Sequence, residues 1–453
     1  MKSYLFSIII SILFAPSIAY TQEIINTISG NGTHAYSGDD VPASTAEFQY
    51  PVSICRDTFG NIFAVDLLNS TVREIDVSTN IIHTIAGNPT TSGNSGDAGS
   101  AIYALLNYPL GICTDRAGNI YIADTYNNEI RKITVVDGII NTIAGNGIAG
   151  FSGDGGVSTA ASINIPFSVG VDDSNNVYID DALNNRIRKV NALTGIISTI
   201  AGTGVSGATG DGGPAITAEL DTPQSIAVDH LGNVYIADYN NAKIRMINAS
   251  TGIITTIAGT GAIGYSGDDG PATLATFNSI IGISIDDSAN LYIADEGVSV
   301  IRKIRKSTGI IETIAGTGFP GFSGDGGSPT SASLNYETGV CTNGSGTIID
   351  IADKLNGRIR EITNHTLSVS SLNTINNTLA YPNPSQGKFT IVDNESSNYE
   401  ITITNLLGEL IYRSEINSHK TTVDITSQPP GIYLLYITSN GESQCQKVTI
   451  SNK

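Results

Sequence analysis

The chain has no tryptophan, and only two methionines, four cysteines and five histidines among its 453 residues. Its 23 Lys plus Arg are outnumbered by 42 Asp plus Glu. Without tryptophan the preferred platform for stacking sugars is missing, although 19 tyrosines leave that role open. The formal net charge of −19 repels phosphate backbones and anionic head groups, which argues against nucleic-acid and acidic-membrane partners. No segment approaches the roughly 18 consecutive apolar residues of a membrane span. No stretch carries a 3.6-residue apolar period long enough for a helix. Charged residues make up 14% and hydrophobic ones 40%, a balance that fits a folded β protein and not a disordered chain.

What is present is repetition. The tetrapeptide Thr-Ile-Ala-Gly, or a close variant, begins at Thr27, Thr84, Thr142, Thr199, Thr256 and Thr313, in steps of 57, 58, 57, 57 and 57 residues. Within one repeat, four short β-branched or aromatic runs lie between Gly, Asn and Asp, the pattern of strands between turns. They are expected at 110–115 (A), 119–124 (B), 129–133 (C) and 138–144 (D). The A–B turn reads Asp-x-x-Gly-Asn, as in Asp115 to Asn119, suited to a tight hairpin. Six such four-stranded antiparallel sheets are most readily closed into a ring, an all-β six-bladed β-propeller. The chain enters on Ile24 to Ile28, which matches strand D, while the last repeat supplies only A, B and C. The first strand is therefore expected to complete the sixth blade.

The run Tyr-Ile-Ala-Asp-x-x-Asn-x-x-Ile-Arg-Lys-Ile, recurring in register over residues 24–362, resembles the NHL-repeat propellers. That resemblance implies a binding platform in most members and a metal-dependent enzyme in a minority, so the site must decide. Residues 381–453 resemble the type A C-terminal sorting domain of the type IX secretion system of Bacteroidetes. Three elements carry this: Tyr381-Pro382-Asn383-Pro384 with Gly387, the Gly431-Ile432-Tyr433 strand, and the closing Lys447-Val448-Thr449-Ile450. It implies export across both membranes through that machinery, with removal of the domain and release or anchoring at the surface. Lys2, the apolar run from Tyr4 to Phe14, and Ser17-Ile18-Ala19 read as a secretory signal peptide. The expected organisation is thus signal peptide 1–19, propeller 20–362, linker 363–380 and a small β-sandwich at 381–453.

Two motifs recur in every repeat. The first links strand B to strand C: Asp66, Asp124, Asp181, Asp238, Asp295 and Asp353, paired seven or so residues on with Arg73, Arg131, Arg188, Arg245, Arg302 and Arg360. An Asp capping the turn and bonded to Arg would brace each blade, a structural role. The second, [Phe/Tyr]-Ser-Gly-Asp-x-Gly, occupies the D–A loop with Asp39, Asp97, Asp154, Asp211, Asp268 and Asp325. One loop offers too few oxygens for calcium, which takes six to eight. Alternating strand directions place the D–A and B–C loops on the same face of the ring. On that face, the six loop aspartates together with Tyr126, Asp180 and Tyr239 are the candidate ligand-binding residues.

Cys55, Cys113 and Cys341 occupy one place in strand A of neighbouring blades. Packed sheets lie about 10 Å apart, against the roughly 7 Å between bridged Cα atoms, so these read as buried small side chains and not a disulfide. Cys445 stands alone, and no spacing resembles a metal knuckle. His34, His83, His230, His365 and His419 fall in unrelated places and are not expected to converge. No catalytic residue, resident metal or cofactor is assigned, with Ca²⁺ or Zn²⁺ at the axis as the open possibility. The expected function is a secreted or cell-surface, non-catalytic platform for a protein or glycan. The alternative is a metal-dependent propeller enzyme of lyase or lactone hydrolase type.

Overall fold

The computed structural model describes residues 20–367, 378–393, 399–405, 410–439 and 442–451. The proposed signal peptide and most of the expected linker lie outside these residues. Packing divides the chain into a unit Gln22–His365 and a second unit containing Thr366–Lys453.

The first unit is built of six antiparallel sheets in sequence order. In the second blade, strand A is Gly111–Thr114, B is Ile120–Asp124, C is Glu129–Thr134 and D is Ile139–Ala144. Strand B is buried along its whole length in blades one to five, because it lies inside the sheet and is covered on both faces by neighbouring blades. That explains its near-continuous apolar run, such as Ile120-Tyr121-Ile122-Ala123. The A strands of all six blades, beginning with Pro51–Arg56 and ending with Glu337–Thr342, surround the axis. In blades one, two and five a two-residue strand from the preceding loop adds a fifth, outer edge.

The sixth sheet runs Glu337–Thr342, Ile348–Asp353, Arg358–Leu367, with Tyr20–Ser29 as its outermost strand. The N-terminal strand thus closes the ring. Ile25 is fully buried there, and its backbone N–H donates to Gly327 O at 3.1 Å. A second tie links blades six and one: Arg56 bonds Asp350 and Glu361 across their seam.

In blades one to five, strand C carries a bulge opposite strand D, immediately before the recurring Arg. A bulge re-aims the next side chain. The glycine ending Thr-Ile-Ala-Gly is required by that crossing. At Gly145, φ is +90°, and a Cβ would meet Asn128 O at 2.2 Å.

The second unit contains two sheets, one of three strands and one of four. Their facing side chains, among them Phe389, Ile391, Ile401, Leu435 and Val448, form one buried core, as in a sandwich. Asn383 clips the opening motif to the last strand: its Nδ2 donates to Lys447 O at 2.6 Å, and Thr449 N–H donates to its Oδ1 at 2.8 Å. The unit's first strand is Thr378–Tyr381, and strand C of blade six runs to Leu367. Both extend into the segment expected to be linker: strand C of blade six goes on pairing past the last repeat residue, with Thr363 opposite Ile348, and Thr378–Tyr381 pairs with the strand Lys388–Asp393 of its own unit.

Candidate functional site

Six arginines organise the loop face. Arg73, Arg131, Arg188, Arg245, Arg302 and Arg360 are each fully buried. Each pairs with the loop aspartate of its own blade: Arg131 with Asp97 at 2.7 Å, Arg188 with Asp154 at 2.8 Å, Arg245 with Asp211 at 2.7 Å. Arg302 meets Asp268 at 2.6 Å, Arg360 meets Asp325 at 2.7 Å, and Arg73 meets Asp39 at 3.2 Å. The same guanidinium donates to the serine or threonine carbonyl two residues earlier, as Arg188 does to Ser152 O at 3.0 Å. The motif aromatic lies over it: Tyr36, Phe151, Tyr265 and Phe322 sit 4.8–5.3 Å from the guanidinium carbon. The threonine of Thr-Ile-Ala-Gly completes the shell, with Thr199 Oγ1 donating to Asp154 at 2.7 Å and Thr256 to Asp211 at 2.6 Å.

Both recurring motifs therefore serve one buried cation, and a buried charge needs such a shell. The loop aspartates, expected to receive a ligand, have oxygens already held by arginine. The strand-B aspartates, expected to be the arginine's main partner, stand farther off: Asp124, Asp181, Asp238 and Asp353 lie 3.2–3.6 Å away, and Asp66 and Asp295 make no ion pair with their arginine. They instead accept backbone N–H groups entering strand A, as Asp124 does from Asn107 at 2.8 Å. Burial pushes Asp124, Asp238 and Asp353 up to about 6 despite these bonds.

The residues that differ between blades lie nearer the axis. A cavity of about 440 Å³ is lined by all six A strands and, at the loop face, by Leu67, Glu296 and Lys354. Glu296 and Lys354 form an ion pair at 3.2 Å. Cys55, Cys113 and Cys341 line the same wall and are free thiols. Burial pushes all three up, Cys341 to about 12, so none is a ready nucleophile. Tyr126 is exposed and stacks on Tyr108, ring centroids 4.8 Å apart. Tyr336 and Tyr50 hold the place of Tyr108 in blades six and one, so three adjacent blades carry tyrosine there. Tyr239 is half-buried. Asp180 does not reach the face: it is fully buried in strand B of blade three.

On the opposite face, the A–B turns bring together a group that the sequence reading kept apart. Arg116 meets Asp173 at 2.8 Å, and its guanidinium lies 3.1 Å from His230 Nδ1. His230 Nε2–H donates to Asp287 at 2.6 Å, while Nδ1 lies 3.3 Å from Asp173. Four successive blades contribute one residue each, all at the second position of the turn. Aligning that position across repeats would have shown the series Thr58, Arg116, Asp173, His230, Asp287, Gly344. The two carboxylates sit on different ring nitrogens, so one metal ion does not gather all three. Among the described residues no group of three His, Cys, Asp or Glu side chains is arranged to hold a metal.

The fold defines a closed ring of NHL type, and comparison with known proteins agrees. Residues 379–451 match the secretion system C-terminal sorting domain, and residues 87–152 and 204–266 match the teneurin NHL domain. Among curated proteins, SUPPRESSOR OF QUENCHING 1 of Arabidopsis thaliana is 28% identical over 273 residues, 58% of this chain and 26% of its own length. NHL repeat-containing protein 2 of Gallus gallus is 27% identical over 65% of this chain and 44% of its own length. The chain thus spans less than half of these relatives. A Bacteroides thetaiotaomicron structure of unknown function superposes with TM-score 0.57 at 19% identity, covering 76% of this chain and 77% of that one. An auxiliary nutrient binding protein of the same organism gives 0.55 at 16%, covering 76% and 77%. The chain thus has a β-propeller fold in which two segments match an NHL domain, followed by a segment that matches the secretion system sorting domain. Its destination is the cell surface or beyond. No helix among the described residues is long and apolar enough to cross a membrane.

Proposed function

We propose that the exported ring is a non-catalytic binding protein that takes a glycan on its loop face. The observation that carries this reading is the stacked, solvent-facing pair Tyr108 and Tyr126. Stacked exposed phenols offer a flat apolar surface with hydroxyls at the rim, which suits the face of a sugar ring. Tyr336, also exposed, extends the aromatic arc on the side of blade six. The shared fold with an auxiliary nutrient binding protein supports the same reading. The sorting domain engages the secretion machinery, and the ring is its cargo.

A glycan array probed with the full chain tests this. Binding is expected, and Tyr126→Ala should weaken it by about tenfold, the worth of one aromatic contact. An empty array, or affinity unchanged in a Tyr108→Ala/Tyr126→Ala double variant, would rule the reading out.

A further inference from the structure

The start of strand A is irregular in a way that recurs around the ring. In blades one, four, five and six its pairing with strand B slips by one residue, which leaves Val52, Gln224, Ile281 and Thr338 bulged. Blade three slips over Phe167 and Ser168. A bulge takes a side chain out of the pleat and re-aims it. These residues, with Leu110 at the same place in blade two, all line the axial cavity. They make a collar of one side chain per blade, and no two of the six are alike.

Four of the six are apolar, and Gln224 stands between two of them, Phe167 and Ile281. Gln224 is half-buried, and its side-chain amide hydrogen-bonds to none of the described residues. The serines next along the wall are already engaged: Ser168 Oγ accepts Ile226 N–H and Ser225 Oγ accepts Ile283 N–H, both at 3.2 Å. The charges at the mouth are compensated, since Glu296 holds Lys354. A volume of about 440 Å³ falls within the range of small-ligand pockets, which are mostly apolar with a few polar groups that fix orientation. An ion entering here would shed its water without gaining a free partner of opposite charge. The cavity also opens onto the tyrosine arc. Tyr336, Tyr50 and Tyr108 each stand two residues before a collar residue, about 7 Å along a strand, on the side of the ring opposite Gln224.

We infer that the axial collar is a subsite for an acetamido group, so that the ligand is a glycan ending in a 2-acetamido sugar. This rests on the glycan reading above and specifies it. An acetamido group is uncharged and joins a hydrogen-bonding amide to a methyl, the same pairing of chemistries that the collar presents. Gln224 Nε2–H donates to its carbonyl oxygen, and the methyl beyond packs against Phe167 and Ile281. The end residue thus fills the axis, while the sugars behind it leave across Tyr108 and Tyr126.

Calorimetric titration of the full chain with a β-1,4-linked N-acetylglucosamine trimer and with the β-1,4-linked glucose trimer tests the inference. The two probes share linkage and neutrality and differ only in acetamido against hydroxyl. The acetylated trimer is expected to bind at least about tenfold more tightly, the joint scale of one buried methyl and one hydrogen bond. Gln224→Leu should cut that ratio at least about fivefold, the share of the hydrogen bond. The ring should tolerate this change, because four other blades carry an apolar residue at the same place, and melting temperature checks it. Equal affinity for the two trimers, or a ratio unchanged in Gln224→Leu, would overturn the acetamido subsite while leaving glycan binding standing. Failure of both trimers to bind, beside an array that holds other glycans, would overturn the subsite alone. The same failure with an empty array would remove both.

Discussion

Asp180 shows what a single residue can do inside a repeat. Blades two, four, five and six carry Ala123, Ala237, Ala294 and Ala352 at this point of strand B, and blade one carries Val65. Asp180 is fully buried, and neither oxygen has a partner. Burial, then Asp181 and Asp238, push its carboxyl well above the usual range. Both folded and unfolded chains hold this proton below the ordinary aspartate value of about 3.9. As pH rises past that value the unfolded chain ionises first, so stability drains away until the raised folded-state value is passed. Asp180→Ala is therefore expected to stabilise the ring by about 1–3 kcal/mol at neutral pH, and by less near pH 4. Paired melting curves check this. A loss of stability, or the same gain at both pH values, would mean that the carboxyl has a partner.

At the level of elements, the N-terminal strand is the clearest case of a part whose worth exceeds its size. Tyr20–Ser29 supplies the outer strand of blade six and buries Ile25 completely. Deleting residues 22–29 from the full chain should cost at least about 3 kcal/mol, the scale of losing one buried isoleucine, before its hydrogen bonds are counted. A deletion variant with an unchanged melting temperature would show that the ring closes some other way. This strand was legible because Ile24 to Ile28 reads like strand D and the last repeat ends after strand C. The strands of blade two were expected within a residue or so of where they lie, since alternation and turn residues recur six times in register. The arginine shell was only half legible. Each arginine has a motif aspartate seven residues back, but its stronger partner is the loop aspartate 34 or 35 residues back. Proximity in sequence favoured the wrong member of the pair. The axial collar left only a faint mark, one glutamine at a mostly apolar position.

Across the whole molecule, the two faces answer to different chemistry. The loop face varies at its tyrosines and at the Glu296–Lys354 pair, while the turn face is strapped by Arg116, Asp173, His230 and Asp287 over four blades. The hydrogen bond to Asp287 chiefly raises the His230 pKa above its usual value, with Asp173 adding to it. The strap's contribution is therefore complete below the ordinary histidine value of about 6.5 and fades as pH climbs through the raised one. His230→Gln should lower the melting temperature more at about pH 6 than at about pH 9. A difference that does not change with pH would show that the imidazole carries no proton-linked load. The strap was hidden in the sequence because its members occupy a single variable position inside an otherwise constant turn.

Closure by the first strand also has a kinetic meaning. The bond between Ile25 and Gly327 joins residues about three hundred positions apart, and contacts of such long range form late. The first blade can assemble as soon as its own strands exist, but the sixth cannot be finished until both ends of the ring have met. Until the last repeat has been made, Tyr20–Ser29 has no sheet to join. The ring becomes a single cooperative body only after its final repeat has emerged, so a truncated copy would betray itself through that unpaired strand.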